Sequence, residues 1–304
     1  MFAFFSASGF RLPPPFFILN FPAMHAPMQL YQNTCLACSK LITRNYSTSF
    51  TLGIRTLSRR YHLPIYAIYG FVRAADEIVD TFHDYDKAAL LAQFERDTYH
   101  AIETGLSLNP VLHSFQAVVN QYKIEHELID AFLRSMKMDL HRNVYDRTGY
   151  EDYIYGSAEV VGLMCLRVFC EGDEAQYQHL KEPARSLGKA FQKVNFLRDM
   201  KSDYEDRGRV YFPGVDFDAF DQPAKDLIEA DIRRDFEHAY TGILQLPEGA
   251  RKGVLLAYKY YVRLFKKICG MPPTRILQER IRIPDSQKLA ILAGTYVRHQ
   301  FSLL

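Results

Sequence analysis

The 304 residues are 48% hydrophobic, 14% aromatic and 24% charged, which excludes a disordered chain or a low-complexity fibre and supplies material for a sizeable core. The formal charge of +2 is unevenly spread, because the first 75 residues hold seven Lys or Arg and no Asp or Glu. Five cysteines are an odd number in a long chain, so they make no disulfide framework and indicate a reducing compartment.

Residues 1–27 are rich in Phe and Pro, with Arg11 as their one charged side chain. The triplet Pro13-Pro14-Pro15 interrupts the apolar stretch that a signal peptide needs, so they are expected to be a dispensable, disordered extension or the product of a misassigned start. No run of ~18 or more consecutive apolar residues appears, and no spanning helix is expected. The local basic charge can attract phosphates, nucleic acid or an anionic membrane surface, although a solvated helical face explains it as well. Cys35 and Cys38 form a CLAC pair with no second pair or nearby His to complete a zinc set.

From Leu30 onward apolar residues recur three and four apart, with few glycines and no alternating runs between hairpin turns. The expected fold class is all-α, one helical domain over residues 28–304. Breaks are expected at His62-Leu63-Pro64, Asn109-Pro110, Thr148-Gly149, Gly172-Asp173, from Arg207 to Gly214, at Leu246-Pro247 and at Met271-Pro272-Pro273.

The first chemistry-bearing segment is YGFVRAADEIVD, residues 69–80. On a helix turning about 100° per residue, Tyr69, Arg73, Asp76 and Asp80 fall within roughly 60° of one another, with Glu77 at the edge of the row. A surface helix with a charged face explains such a row when it stands alone. In DYIYGSAEVVGLM, residues 152–164, Tyr153, Ser157, Val160 and Met164 share a face, and Gly156, Ala158 and Gly162 keep the helix slim. Those small residues serve either close helix packing or a long apolar ligand lying between helices.

The third segment, QKVNFLRDMKSDYEDRGRVYFP, residues 192–213, places Gln192, Asn195, Asp199 and Asp203 on a second stripe. Two facing rows of carboxylates repel unless hard cations lie between them. Magnesium suits such a site, because it takes oxygen ligands and shares its shell with phosphates. Arg73 beside the first row, and Arg198, Arg207 and Arg209 around the second, point to a polyphosphate that arginine binds by paired hydrogen bonds. The sequence has no GxxxxGK[ST] loop and no strand-borne GxGxxG, so an organic diphosphate is expected rather than a nucleotide.

With YSTSF at 46–50 in addition, four segments match in order and spacing, and the chain resembles the squalene/phytoene synthase family of head-to-head prenyl transferases from about Cys35 to Arg282. The resemblance implies an isoprenoid synthase helical bundle around a central cavity. It implies Mg²⁺, with Mn²⁺ as a substitute, on Asp76, Glu77, Asp80, Asn195, Asp199 and Asp203. It implies diphosphate contacts from Ser47, Arg73, Gln192, Arg198, Tyr261 and Arg280, and catalytic roles for Tyr69, Arg73, Asp76, Asp80, Tyr153, Asp199 and Asp203. Phe50, Ser157, Ala158, Val161 and Gly162 would line the prenyl cavity. The first motif reads DEIVD where many members carry adjacent aspartates, with Glu77 as the near-equivalent acid.

The activity implied is condensation of two geranylgeranyl diphosphates to phytoene through a cyclopropyl diphosphate, in carotenoid biosynthesis, without NADPH. Alternatives are a squalene or dehydrosqualene synthase using farnesyl diphosphate, and a non-catalytic relative acting as an assembly or binding protein. The partners expected are prenyl diphosphates and no nucleic acid. The expected location is cytoplasmic, with peripheral contact at the inner membrane face, and the protomer is a monomer or a dimer.

Overall fold

The computed structural model describes residues 26–141, 145–215 and 219–281, apart from the side chains of Asp206 and Arg207. The expected extension falls outside these residues except for its last two, which open the first helix, and the Arg207 side chain is likewise outside. The described chain is a succession of helices with no strand. They are α1 (Ala26–Tyr46), α2 (Thr48–Thr56), α3 (Arg59–Asp80), α4 (Lys87–Thr104), α5 (Pro110–Tyr122) and α6 (His126–His141). There follow α7 (Arg147–Ile154), a π-helical turn (Tyr155–Glu159), α8 (Val160–Cys170), α9 (Glu174–Arg207), α10 (Gln222–Ile243), α11 (Glu248–Cys269) and the short α12 (Pro273–Ile276).

Local chemistry explains most of the boundaries. Asn109 caps α5, its side chain accepting from the Val111 and Leu112 amides, with Pro110 at the first helical position, where a missing N–H does no harm. Asp173 caps α9, and Gly208 ends it in the left-handed conformation at φ 62°, which glycine adopts without a Cβ clash. Two expected breaks move. Pro64 lies inside α3 rather than ending a helix; the helix is carried through it by burial of Tyr61, Ile65, Tyr66 and Ile68, and packing overrides the local preference. At the other, the helix starts earlier, because Asp146 accepts from the Gly149 amide and caps α7 ahead of Thr148-Gly149.

Helix α8 is the hub, packing against α3, α6 and α9, while α9 also packs against α10 and α11. One core cluster joins α3, α5, α6 and α8, with Phe71 stacked on Phe115 at 3.9 Å. The other joins α7, α9, α10 and α11, with Phe196 stacked on Tyr211 at 4.1 Å. Arg147–Cys170 forms one rod of 24 residues, long and apolar enough to cross a bilayer although no single apolar run announces it. Most of it is buried inside the bundle, so it reads as a core helix.

Candidate functional site

The two acidic rows sit on α3 and α9, which both pack on α8. Tyr261 of α11 borders the α9 row. Its hydroxyl donates to Asn195 Oδ1 at 3.2 Å, and its electrostatic influence reaches Tyr69 on α3. Burial pushes the Tyr261 phenol up from its ordinary pKa, against the opposing pull of Arg198.

On α3, the Arg73 guanidinium pairs with Glu77 one turn on, comes within 4.0 Å of Asp76 and lies over the Tyr46 ring at 4.4 Å. Its Nε is buried and has no hydrogen-bond partner, a donor that an incoming acceptor oxygen would satisfy. Tyr69 stacks on Phe50 at 4.8 Å, and burial raises its phenol pKa against the influence of Arg73 and a hydrogen bond from Ser47. Ser47 is also the N-cap of α2, accepting from the Phe50 amide, so this residue ties the start of α2 to Tyr69.

On α9, Asp199 is the centre of a second cluster. Its carboxylate accepts from Arg198 Nε at 3.0 Å and from Arg280 Nε at 2.7 Å. Arg280 arrives from beyond α12, where the Ile281 amide donates to the Arg198 carbonyl. Gln192 accepts from the Asn195 side chain at 3.4 Å, one turn below. Asp203, at the end of α9, lines a small cavity with Arg209, Tyr211 and Phe212. In these rows Asp76, Glu77 and Asp199 are already balanced by arginine. Among the described residues, no three His, Cys, Asp or Glu side chains gather into a cage that would hold a metal alone.

The remaining candidates divide. Tyr153 is buried among Tyr145, Phe196 and Tyr211, and its hydroxyl donates to Asp139 Oδ2 at 2.9 Å. Gly156 is committed to packing, since a Cβ there would lie 2.4 Å from the Ala131 carbonyl oxygen of α6. The Ala158 backbone lies against Gly188 of α9, and Gly162 faces the Ala184 carbonyl of the same helix. Ser157 and Val161 are half-buried, and the Ser157 hydroxyl oxygen has no partner. Of the two roles left open by the sequence, close packing is the one seen in this stretch, most tightly at Gly156 against α6.

Sequence reasoning missed Asp139 and gave Tyr46, although within YSTSF, no role beside Arg73. Asp139 sits 70 positions before the arginine it pairs with, Arg209, and no local pattern links two such distant residues.

A family model described as squalene/phytoene synthase matches residues 43–287. The chain belongs to that family. It is 31% identical over 278 residues to a phytoene synthase of Rhodobacter capsulatus, covering 85% of this chain and 79% of that one. It is 27% identical over 201 residues to a 4,4'-diapophytoene synthase of Staphylococcus haemolyticus, covering 64% and 67%. Among solved structures, a dehydrosqualene synthase in complex with ligand superposes with a TM-score of 0.75 at 24% identity, over 90% of this chain and 99% of that one. This last likeness shows the fold, an all-α isoprenoid synthase bundle.

Proposed function

We propose that the chain is a phytoene synthase, joining two geranylgeranyl diphosphates head to head with the help of Mg²⁺. The observation that carries this reading is the pairing of arginine with carboxylate on two helices that flank α8: Arg73 with Asp76 and Glu77, and Arg198 and Arg280 around Asp199. The likeness to the phytoene synthase of Rhodobacter capsulatus supports the C20 substrate.

The donor set fits magnesium. The site is rich in carboxylate oxygen and holds no ready-made cage, and Mg²⁺ is commonly held by one or two carboxylates with substrate phosphates completing its shell. Asp76, Glu77, Asp80, Asn195, Asp199 and Asp203 would hold it. When bound, the ion supplies positive charge that stabilises a departing diphosphate.

The chain's own residues do the rest. Arg73, through its unpartnered Nε, and Arg198 and Arg280, through guanidinium groups now on Asp199, bind diphosphate oxygens and stabilise the negative charge that grows as the C1–O bond breaks. The double bond of the second substrate attacks the resulting allylic C1, and loss of a proton closes a cyclopropyl diphosphate. A second C1–O cleavage, rearrangement and proton loss join the two C1 carbons. Each half-reaction expels one diphosphate and one proton, so no reductant is consumed. The faces of Tyr69 and Phe50 offer electron density to the cations, and the surrounding apolar walls keep water from them.

Incubation of the purified protein with Mg²⁺ and labelled geranylgeranyl diphosphate, with and without NADPH, tests this. Phytoene formed without NADPH is the expected result, and absence of turnover with both the C20 and C15 substrates would sink the reading. The likeness to the Staphylococcus haemolyticus 4,4'-diapophytoene synthase supports a second reading, condensation of two farnesyl diphosphates, which the C15 arm of the same assay detects.

A further inference from the structure

Arg209, expected among the polyphosphate-binding arginines, is instead buried against Asp139, and this charged pair has no part in the chemistry above. Asp139, at the end of α6, and Arg209, just past the end of α9, are 6% and 7% exposed. Burying two charges is unfavourable unless they pair and hydrogen-bond fully. Here the pairing is extensive. Arg209 Nη1 lies 3.3 Å from Asp139 Oδ1, its Nη2 donates to the Asp139 carbonyl at 2.6 Å, and Nη1 also donates to the Tyr211 hydroxyl at 3.3 Å. The other carboxylate oxygen of Asp139 takes the Tyr153 hydroxyl of α7.

The same arginine closes α9. Its backbone amide donates to the Asp203 carbonyl at 2.9 Å, beside the left-handed Gly208. Tyr211, two residues on, stacks on Phe196 and on Tyr153. Asp203 lies in the second-to-last turn of a 34-residue helix and Asp199 one turn before it, close to an end where a helix otherwise frays. A buried ion pair thus reaches from α6 to Arg209, the residue after the Gly208 cap of α9.

We propose that Asp139 is a positioning residue for Asp199 and Asp203, acting through Arg209 as a lock on the C-terminal turns of α9. This role rests on the proposal that those aspartates take part in binding a metal diphosphate.

Two variants test it. Asp139→Asn keeps the shape and an acceptor oxygen but removes the charge. Asp139→Leu combined with Arg209→Met removes both charges and leaves neither stranded, a replacement that buried pairs often tolerate. Amide hydrogen exchange over residues 199–213, and calorimetric binding of inorganic pyrophosphate at graded Mg²⁺, are compared with wild type. Expected are faster exchange confined to that segment and a half-saturating Mg²⁺ concentration raised about tenfold or more, with thermal melting still cooperative.

Unchanged exchange in both variants would overturn the lock. Faster exchange with an unchanged Mg²⁺ requirement would reduce Asp139 to local stability and overturn its positioning role. Wild-type protein that binds pyrophosphate no better with Mg²⁺ than without would overturn the metal reading itself, an outcome separate from either of these because it appears before any substitution.

Discussion

Replacing Gly156 with alanine adds one methyl group where the π-helical turn crosses closely over α6. An added Cβ would meet the Ala131 carbonyl oxygen at 2.4 Å and the Ser135 Cβ at 2.7 Å. The first of these is backbone of α6 and cannot swing aside. Overpacking of this kind costs about 3 kcal/mol at its upper end, while alanine gains about 1 kcal/mol of helix propensity over glycine, for a net loss of about 2 kcal/mol. Gly53 in the interior of α2 is the control, because a Cβ there meets nothing within 4 Å, and Gly53→Ala should gain about 1 kcal/mol. In a chain of this size each kcal/mol moves the melting temperature by about 2–4 °C. The two variants should therefore melt about 6–12 °C apart, with Gly156→Ala below wild type and Gly53→Ala above it. Differential scanning calorimetry, backed by urea unfolding, measures this. Equal melting temperatures would refute the claim that the slimness at 156 exists for the α6 contact. Gly156→Ala should also lower turnover, since displacing the π-helical turn moves Ser157 and Val161.

Asp76→Ala and Asp199→Ala should each lower turnover by at least about 100-fold, the scale on which a charge-stabilising group acts, with far-ultraviolet circular dichroism unchanged; near-wild-type turnover in either would count against a two-sided metal diphosphate site. For Glu125, burial opposes ionisation, but hydrogen bonds from Arg167 prevail and hold its carboxyl below the usual range. A lowered folded pKa gives stability that is present above the ordinary carboxylate pKa and is lost as pH falls through the folded value. Glu125→Gln should thus melt well below wild type at neutral pH, with the gap closing below about pH 4; a gap independent of pH would show that the Arg167 clamp is not electrostatic. Burial alone pushes the Cys165 thiol up to about 12, so it carries almost no thiolate at neutral pH. Mass spectrometry should find Cys165 unmodified by iodoacetamide in the native protein and modified in urea, and rapid native labelling would contradict its apolar setting.

Much of the candidate site was legible because its parts are local. Tyr69, Arg73, Asp76 and Asp80 lie within twelve residues, and helical periodicity puts them on one face however the helix later packs. The same holds for Gln192, Asn195, Asp199 and Asp203, and the capping residues Asn109 and Asp173 act within one turn of themselves. The expected break at Pro64 failed because it weighed only local preference, whereas Tyr61, Ile65, Tyr66 and Ile68 bury enough apolar surface to carry α3 through the proline.

What the sequence determined by itself was therefore the helices and their polar faces, set by short-range geometry, and the family, carried by its motifs. Tertiary structure alone decided which small residues are consumed by packing, as Gly156 is against Ala131. It also decided that Asp199 is shared between Arg198 and Arg280, the second 81 positions away, and that Asp139 reaches Arg209. These contacts depend on how α6, α8 and α9 come together, and charge pairing between distant positions leaves no periodic trace in the chain.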